Sequence, residues 1–325
     1  MMRKLYIPYI LFCVAVLALP IVIRNSHDLG IMIQAGFFCL ITMGLSLLMG
    51  YAGQISLGHA AFFGMGAYAS AILTGTYGWS PWTALVAGII LSGLVAFLVG
   101  IPSLKLKGHY LAMATLGFGE IVRIFIDAEM ELTGGPSGYQ KIIPYMQFGK
   151  WTMNSEVRHY YLTWIMVLIV LVFNLHIINS RIGRALRSIH ADEEAARSVG
   201  VNVSRFKLMI FVLSAVYASL AGSLYCHNIL FVAPGPFSPM ESIRFVTMVI
   251  IGGMGSIWGA ISGALLLTWL PEVLRHFKDF NILVYGGLLL FVMLFIPGGL
   301  FEAGRKVISL VRRIVHRAPA EEVHE

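Results

Sequence analysis

Apolar runs about as long as a bilayer is thick fill almost the whole of this chain. A helix needs roughly 20 mostly apolar residues to cross the hydrocarbon core. Such runs fall near 5–23, 30–49, 57–75, 82–101, 109–127, 160–178, 208–230 and 281–297. Of the 325 residues, 58% are hydrophobic and 12% charged, against about 45–50% and 25% in soluble domains. A soluble fold so poor in charge would present apolar surface to water and aggregate. The expected fold is therefore an all-α polytopic membrane protein with about eight to ten transmembrane helices. A single transmembrane domain over 1–318 is expected, followed by a disordered tail at 319–325.

The stretch 243–270 breaks the pattern, being long for one span and short for two. Gly252-Gly253-Met254-Gly255-Ser256 sits in its middle, and clustered glycine weakens a helix. This predicts two partial helices, 243–252 and 257–270, joined by a break that is re-entrant. Broken helices at membrane depth are tolerated where protein or a watery cavity covers the backbone. Gly253 and Gly255 are therefore candidate pathway residues, with plain packing as the alternative. Lys and Arg in short loops set orientation. A cytoplasmic N-terminus puts Lys105 and Lys107, and Arg181, Arg184, Arg187, Arg197, Arg205 and Lys207, on the inner side. If the broken stretch returns to the side it came from, Arg305, Lys306, Arg312, Arg313 and Arg317 are also inside, where this basic segment with its interleaved apolar residues would lie on anionic lipid. Both termini are then cytoplasmic. No small-x-small cleavage site precedes Arg24, so the first run is expected to be a retained span. The net charge of +7 thus reflects topology rather than nucleic-acid binding.

Two polar insertions interrupt the spans: 128–159, outside, and 179–206, inside. In the second, Asp192 can cap a short helix, with Glu193 and Glu194 favourable in its first turn. Gly200 can end that helix in a left-handed conformation, and Asn202 or Ser204 can cap the next. A helix of small residues can lie deep in a partner's groove; the plain alternative is a solvated basic loop. Glu194-Ala195-Ala196, followed by Gly200 and Ile210, resembles the EAA motif of ABC importer permeases, whose coupling helix docks into an ATPase subunit. The chain departs from that pattern at Val212-Leu213, where the family often has Leu-Pro. The resemblance implies a coupling set of Glu193, Glu194, Ala195, Ala196 and Gly200.

The most distinctive stretch runs from Gly50 through Gly53, Gln54, Ser56, Gly58, His59, Ala60, Gly64 and Gly66 to Tyr68. Small residues at four-residue spacing (Ser56, Ala60 and Gly64; Gly66 and Ser70) let membrane helices approach closely. Gly50 and Gly53 predict an irregular start to the helix, with Gln54, Ser56 and His59 beside it as either packing groups or pathway lining. The stretch resembles the signature of the branched-chain amino-acid permease family of ABC importers. Gly108–Glu120, Leu132–Gly138 and Gly252–Ala260 look like its LivM-type member. Over about residues 30–300 the resemblance implies a heterodimer with a second homologous permease, two ABC ATPase subunits, and an extracytoplasmic binding protein delivering hydrophobic amino acids in a bacterial inner (plasma) membrane. ATP and Mg would be used by the partner subunits, with no cofactor or metal on this chain.

Glu120 and Arg123 lie three apart inside an apolar run and share a helix face. They are read either as a mutual pair or as a zwitterion-binding pair. Leu132–Gly138 is a turn that could also receive the binding protein. Cys13, Cys39 and Cys226 lie in apolar stretches and read as small buried hydrophobes. No Walker A, GxSxG or HExxH pattern occurs, so the chain is not expected to be an enzyme. The rival readings are an ABC permease for urea, short amides or other amino acids, and a secondary transporter working without an ATPase.

Overall fold

The computed structural model describes residues 3–22, 25–103, 106, 108–148, 151–274, 286, 287, 290 and 299. The described helices are α1 (Arg3–Val22), α2 (Ser26–Ser46), α3 (His59–Gly75), α4 (Pro81–Ser103), α5 (His109–Ala128), α6 (Met130–Thr133), α7 (Glu156–Asn179), α8 (Arg181–Ala191), α9 (Glu193–Ser198), α10 (Val203–Ile229), α11 (Pro239–Gly252) and α12 (Ile257–Leu274). A two-residue antiparallel pair, Gln147–Phe148 with Trp151–Thr152, lies in the insertion before α7. Each apolar run up to 230 falls on a helix, and the ends follow local chemistry. Asn25 accepts from the His27 amide at the start of α2. Ser80 accepts from the Thr83 amide, with Pro81 at the first position of α4, where its missing N–H costs nothing. α10 starts at Val203, because Asn202 accepts from the Arg205 amide. The run near 281–297, the basic segment 305–317 and the tail 319–325 lie outside the described residues, apart from the isolated positions named above.

Among the described residues, five helical segments are long and apolar enough to cross a membrane: Ser26–Tyr51, Pro81–Ser103, Glu156–Asn179, Val203–Ile229 and Ile257–Leu274. The first includes a π-helical turn at Leu47–Tyr51 that continues α2. Its 26 residues reach about 39 Å at about 1.5 Å per residue, enough to cross at a tilt. α4 shows why this is a bilayer protein: Val86, Ile90, Leu94, Phe97 and Ile101 are all exposed along it. In water that face would drive aggregation, and in lipid it is at home. The chain is an all-α, multi-pass membrane protein.

The core sits on α2 and α10, which pack against each other, with α3 and α4 on α10 and α7, α11 and α12 on α2. The crossing of α3 and α10 uses the small-residue stripe seen in the sequence. A Cβ at Gly66 would collide with the Ser219 carbonyl, and one at Gly222 with the Phe63 carbonyl. One turn on, Ser70 and Ser223 share a hydrogen bond of 2.6 Å between their hydroxyls. Dispersion between touching backbones replaces the hydrophobic drive that lipid cannot supply.

The bundle has two distinct ends. At the insertion end, Tyr139 pairs with Val232, and its hydroxyl bonds the Thr76 hydroxyl at 2.8 Å. Trp82 Nε1 donates to the Gln147 carbonyl at 2.7 Å, and His227 Nδ1 lies 2.8 Å from the Pro144 carbonyl. Burial raises the Tyr139 phenol above its ordinary pKa, the Thr76 bond working the other way. At the opposite, basic end lie α8, α9, the turn 52–58 and residues 253–256. As expected, the stretch around 243–270 forms two helices joined by a short break. They run antiparallel, Gly252 lying against Gly259 and Arg244 reaching the Leu267 carbonyl at 3.5 Å. Glu272, near the far end of α12, meets His27 at 3.0 Å.

Candidate functional site

At the basic end, α9 is a short helix fixed by its own sequence. Asp192 Oδ1 accepts from the amides of Glu194 at 2.8 Å and Ala195 at 3.1 Å. At the other end Gly200 has φ +85°; its amide donates to Arg197 and the Val201 amide to Ala196, both at 3.0 Å. This is the paired closure of a helix by a left-handed residue. The expected coupling residues divide into two groups. Glu193 pairs with Lys207 of α10, and Ala196 is buried in a small core with Ile189 and Val203, so these two hold α9 in place. Glu194, Ala195 and Gly200 are exposed. Beside them stands Val199, 76% exposed, an apolar residue at the tip that the motif did not single out. Its position just before the helix-ending glycine is the signal that could have found it.

The preceding helix connects this element to the bundle. A Cβ at Gly53, whose φ is +66°, would lie 3.1 Å from His190 Nδ1 of α8. From Gly53 the chain runs unwound to Gly58 before α3 begins, as Gly50 and Gly53 predicted. Side chains of other helices meet amides here: Leu57 of the turn donates to Thr115 Oγ1 of α5 at 3.0 Å, and Ala60, at the start of α3, to Ser242 Oγ of α11 at 2.9 Å. His59 is wholly buried, with Nε2 3.0 Å from Ser214 Oγ and Nδ1 3.2 Å from Ser56 Oγ. Ser214 donates to the Phe211 carbonyl, so it accepts from His59 Nε2–H, and Ser56 donates to Nδ1. Both ring nitrogens and the Ser56 hydroxyl are thus engaged in packing. Gln54 differs: it is buried, and its side-chain oxygen has no partner among the described residues. Leaving such a group unpaired costs about 1–3 kcal/mol.

The break between α11 and α12 closes onto the same region. Ser46 Oγ donates to the Met254 carbonyl at 3.3 Å, and Tyr51 to the Gly255 carbonyl at 3.2 Å. A Cβ at Gly50 would collide with the Met254 carbonyl. Gly253 adopts φ +114°, which explains a glycine there. A Cβ at Gly255 would meet nothing.

Two charged groups lie on helices α5 and α11. Glu120 and Arg123 do pair, at 3.5 Å, and Arg123 reaches Asp127 at 3.7 Å. The three form a ladder along a partly exposed face of α5 whose neighbours Ile121 and Ile124 are exposed apolar residues. The second group was not legible as a site. Glu241 and Arg244, in the first turns of α11, pair at 3.6 Å at a cleft of about 310 Å³. Gln34, Phe38, Phe63 and Tyr225 line the same cleft, and Arg244 stacks 5.4 Å above the Phe38 ring. Glu and Arg three apart at the edge of an apolar half-helix were the available signal. Among the described residues no cluster of three or more metal-ligating side chains occurs.

The chain matches the family described as branched-chain amino acid transport system / permease component over residues 29–297. It is 33% identical to the high-affinity branched-chain amino acid transport system permease protein LivM of Salmonella typhimurium, and equally to that of Escherichia coli. Each alignment covers 92% of this chain and 76% of the relative. It is 25% identical to the permease protein LivH of Salmonella typhimurium, over 84% of this chain and 93% of the relative. No solved structure matches the chain. With the family match running from α2 to beyond α12, and with the unwound turn, the small-residue crossing and the broken hairpin all inside it, the chain belongs to the branched-chain amino acid transport system permease component family.

Proposed function

We propose that the chain is one of two homologous permease subunits of an ATP-driven importer. It carries branched-chain, hydrophobic amino acids handed over by an extracytoplasmic binding protein. Similarity to both LivM and LivH relatives supports a permease pair. ATP is hydrolysed on two partner ATPases, which grip α9 from the cytoplasm. The observation that carries this reading is α9 itself. A helix closed at both ends by its own residues presents Glu194, Ala195 and Val199 outward and is held behind by Glu193–Lys207 and Ala196. Arg181, Arg184, Arg187, Arg197, Arg205 and Lys207 cluster around it, which supports a cytoplasmic basic end.

Movement of α9 would pass through α8 to Gly53 and the unwound turn, and so to the start of α3. The α5 ladder supports a face turned to the second permease or to the aqueous pathway, because charges facing lipid at mid-span are costly. The unpaired Gln54 oxygen supports water or a partner group at the turn. The test is uptake into proteoliposomes containing both permeases and both ATPases, with binding protein and ATP. Leucine, isoleucine and valine should compete with one another, and urea should not. Uptake by this chain alone, driven by an ion gradient, would overturn the reading.

A further inference from the structure

The cleft at the start of α11 has the chemistry of an amino-acid site, and we infer that it holds the cargo's zwitterion during translocation. This rests on the amino-acid permease reading and gives that reading a location. Three features converge. Glu241 and Arg244 offer one negative and one positive group 3.6 Å apart, the complement of an ammonium and a carboxylate on one carbon. Gln34 is exposed between buried Ile33 and Ala35, which puts an amide on the open side of an otherwise buried face of α2. Phe38, Phe63 and Tyr225 supply an aromatic wall, the Phe63 and Tyr225 rings 5.3 Å apart, against which a branched aliphatic side chain can pack.

Size points the same way. At about 310 Å³ the cleft is at the small end of the roughly 300–1,000 Å³ of ligand pockets, suited to one amino acid rather than a peptide. The competing role is a structural ion pair. The pair contributes little by itself, because both side chains remain about a quarter exposed, at 28% and 26%, and an ion pair so open to solvent holds little together; Arg244 is held in addition by the Leu267 carbonyl and the Phe38 ring. Such a pair can part and take a ligand's charges with each member keeping a partner. The site also lies on the side of the bundle expected for delivery. Tyr225 is in the last turns of α10, next to the insertion end, and Gly235 and Pro236 of the cleft wall follow directly on Val232, which pairs with Tyr139.

The test is photolabelling of the complete transporter in proteoliposomes, using leucine with a diazirine in its side chain, alongside leucine uptake. Label should appear on peptides containing Phe38, Phe63 or Tyr225 and be displaced by excess leucine. The double variant Glu241→Gln/Arg244→Gln removes both charges and strands neither. It should lose label and uptake by about tenfold or more, as expected when charge-assisted bonds to a ligand are removed. It should still assemble with its partner subunits, as read by co-purification. Displaceable label elsewhere, or wild-type uptake in the double variant, would overturn the site. A wild-type complex that imports urea but neither takes up nor is labelled by leucine would overturn the proposed function beneath it.

Discussion

At the insertion end, hydrogen bonds join residues far apart in the chain; in α9, at the basic end, nearly all of them are local. Tyr139 reaches Thr76 and Val232, Gln147 reaches Trp82, and Pro144 reaches His227. By contrast, α9 is capped by Asp192, closed at Gly200, and tied to α10 by Glu193–Lys207. A segment whose bonds are its own can move as a body without breaking them. One stitched to three helices fixes the frame instead. The contrast fits the proposal of a transporter driven from one side, in which a stiff face would receive cargo and a self-contained handle would receive force.

Substitutions at the two ends should therefore have different signatures. The largest effect is expected from Ala195→Trp. The side chain is exposed, so the fold should not notice it, whereas a large ring in a close interface commonly costs about 1–3 kcal/mol. Uptake and stimulated ATPase activity should fall by about tenfold or more with an unchanged thermal midpoint. A lowered midpoint would erase the contrast.

Next is Gly53→Ala. Its left-handed backbone carries a cost of roughly 1–2 kcal/mol for other residues, and the new methyl would press on His190. Uptake should fall several-fold with ATPase binding retained, as measured by co-purification. Loss of ATPase binding would place Gly53 in the handle rather than behind it. The smallest effect on transport is expected from Tyr139→Phe. Losing the bond to Thr76 should cost about 1 kcal/mol of stability, read as a lower thermal midpoint with near-normal uptake. Strong loss of uptake at full stability would show that the insertion end also transmits force.

Local features were legible in the sequence because local chemistry decides them. Asp192, Gly200 and Asn202 cap where their types predict, Gly252–Ser256 breaks the helix pair, and the Gly66–Ser70 stripe packs on α10. Long-range partners were not. Nothing near His59 announces that Ser214 satisfies its ring, and nothing near Ala60 announces Ser242. The cleft was missed for a plainer reason. Apolar content places the start of the half-helix at 243, but Pro239 at its first position starts it earlier, so Glu241 fell in a loop. Gln34 was hidden by its surroundings, one amide within a long apolar run.

The central claim is that α9 is a cytoplasmic handle held by an ATPase. The most direct measurement is disulfide cross-linking from a single cysteine at Val199, with Cys13, Cys39 and Cys226 replaced by alanine. The account predicts cross-links to the co-purified ATPase subunits, with a yield that changes when ATP is added, and protection from impermeant thiol reagents in intact cells. Labelling of Val199→Cys from outside the cell, or no cross-link to an ATPase under any nucleotide condition, would contradict it.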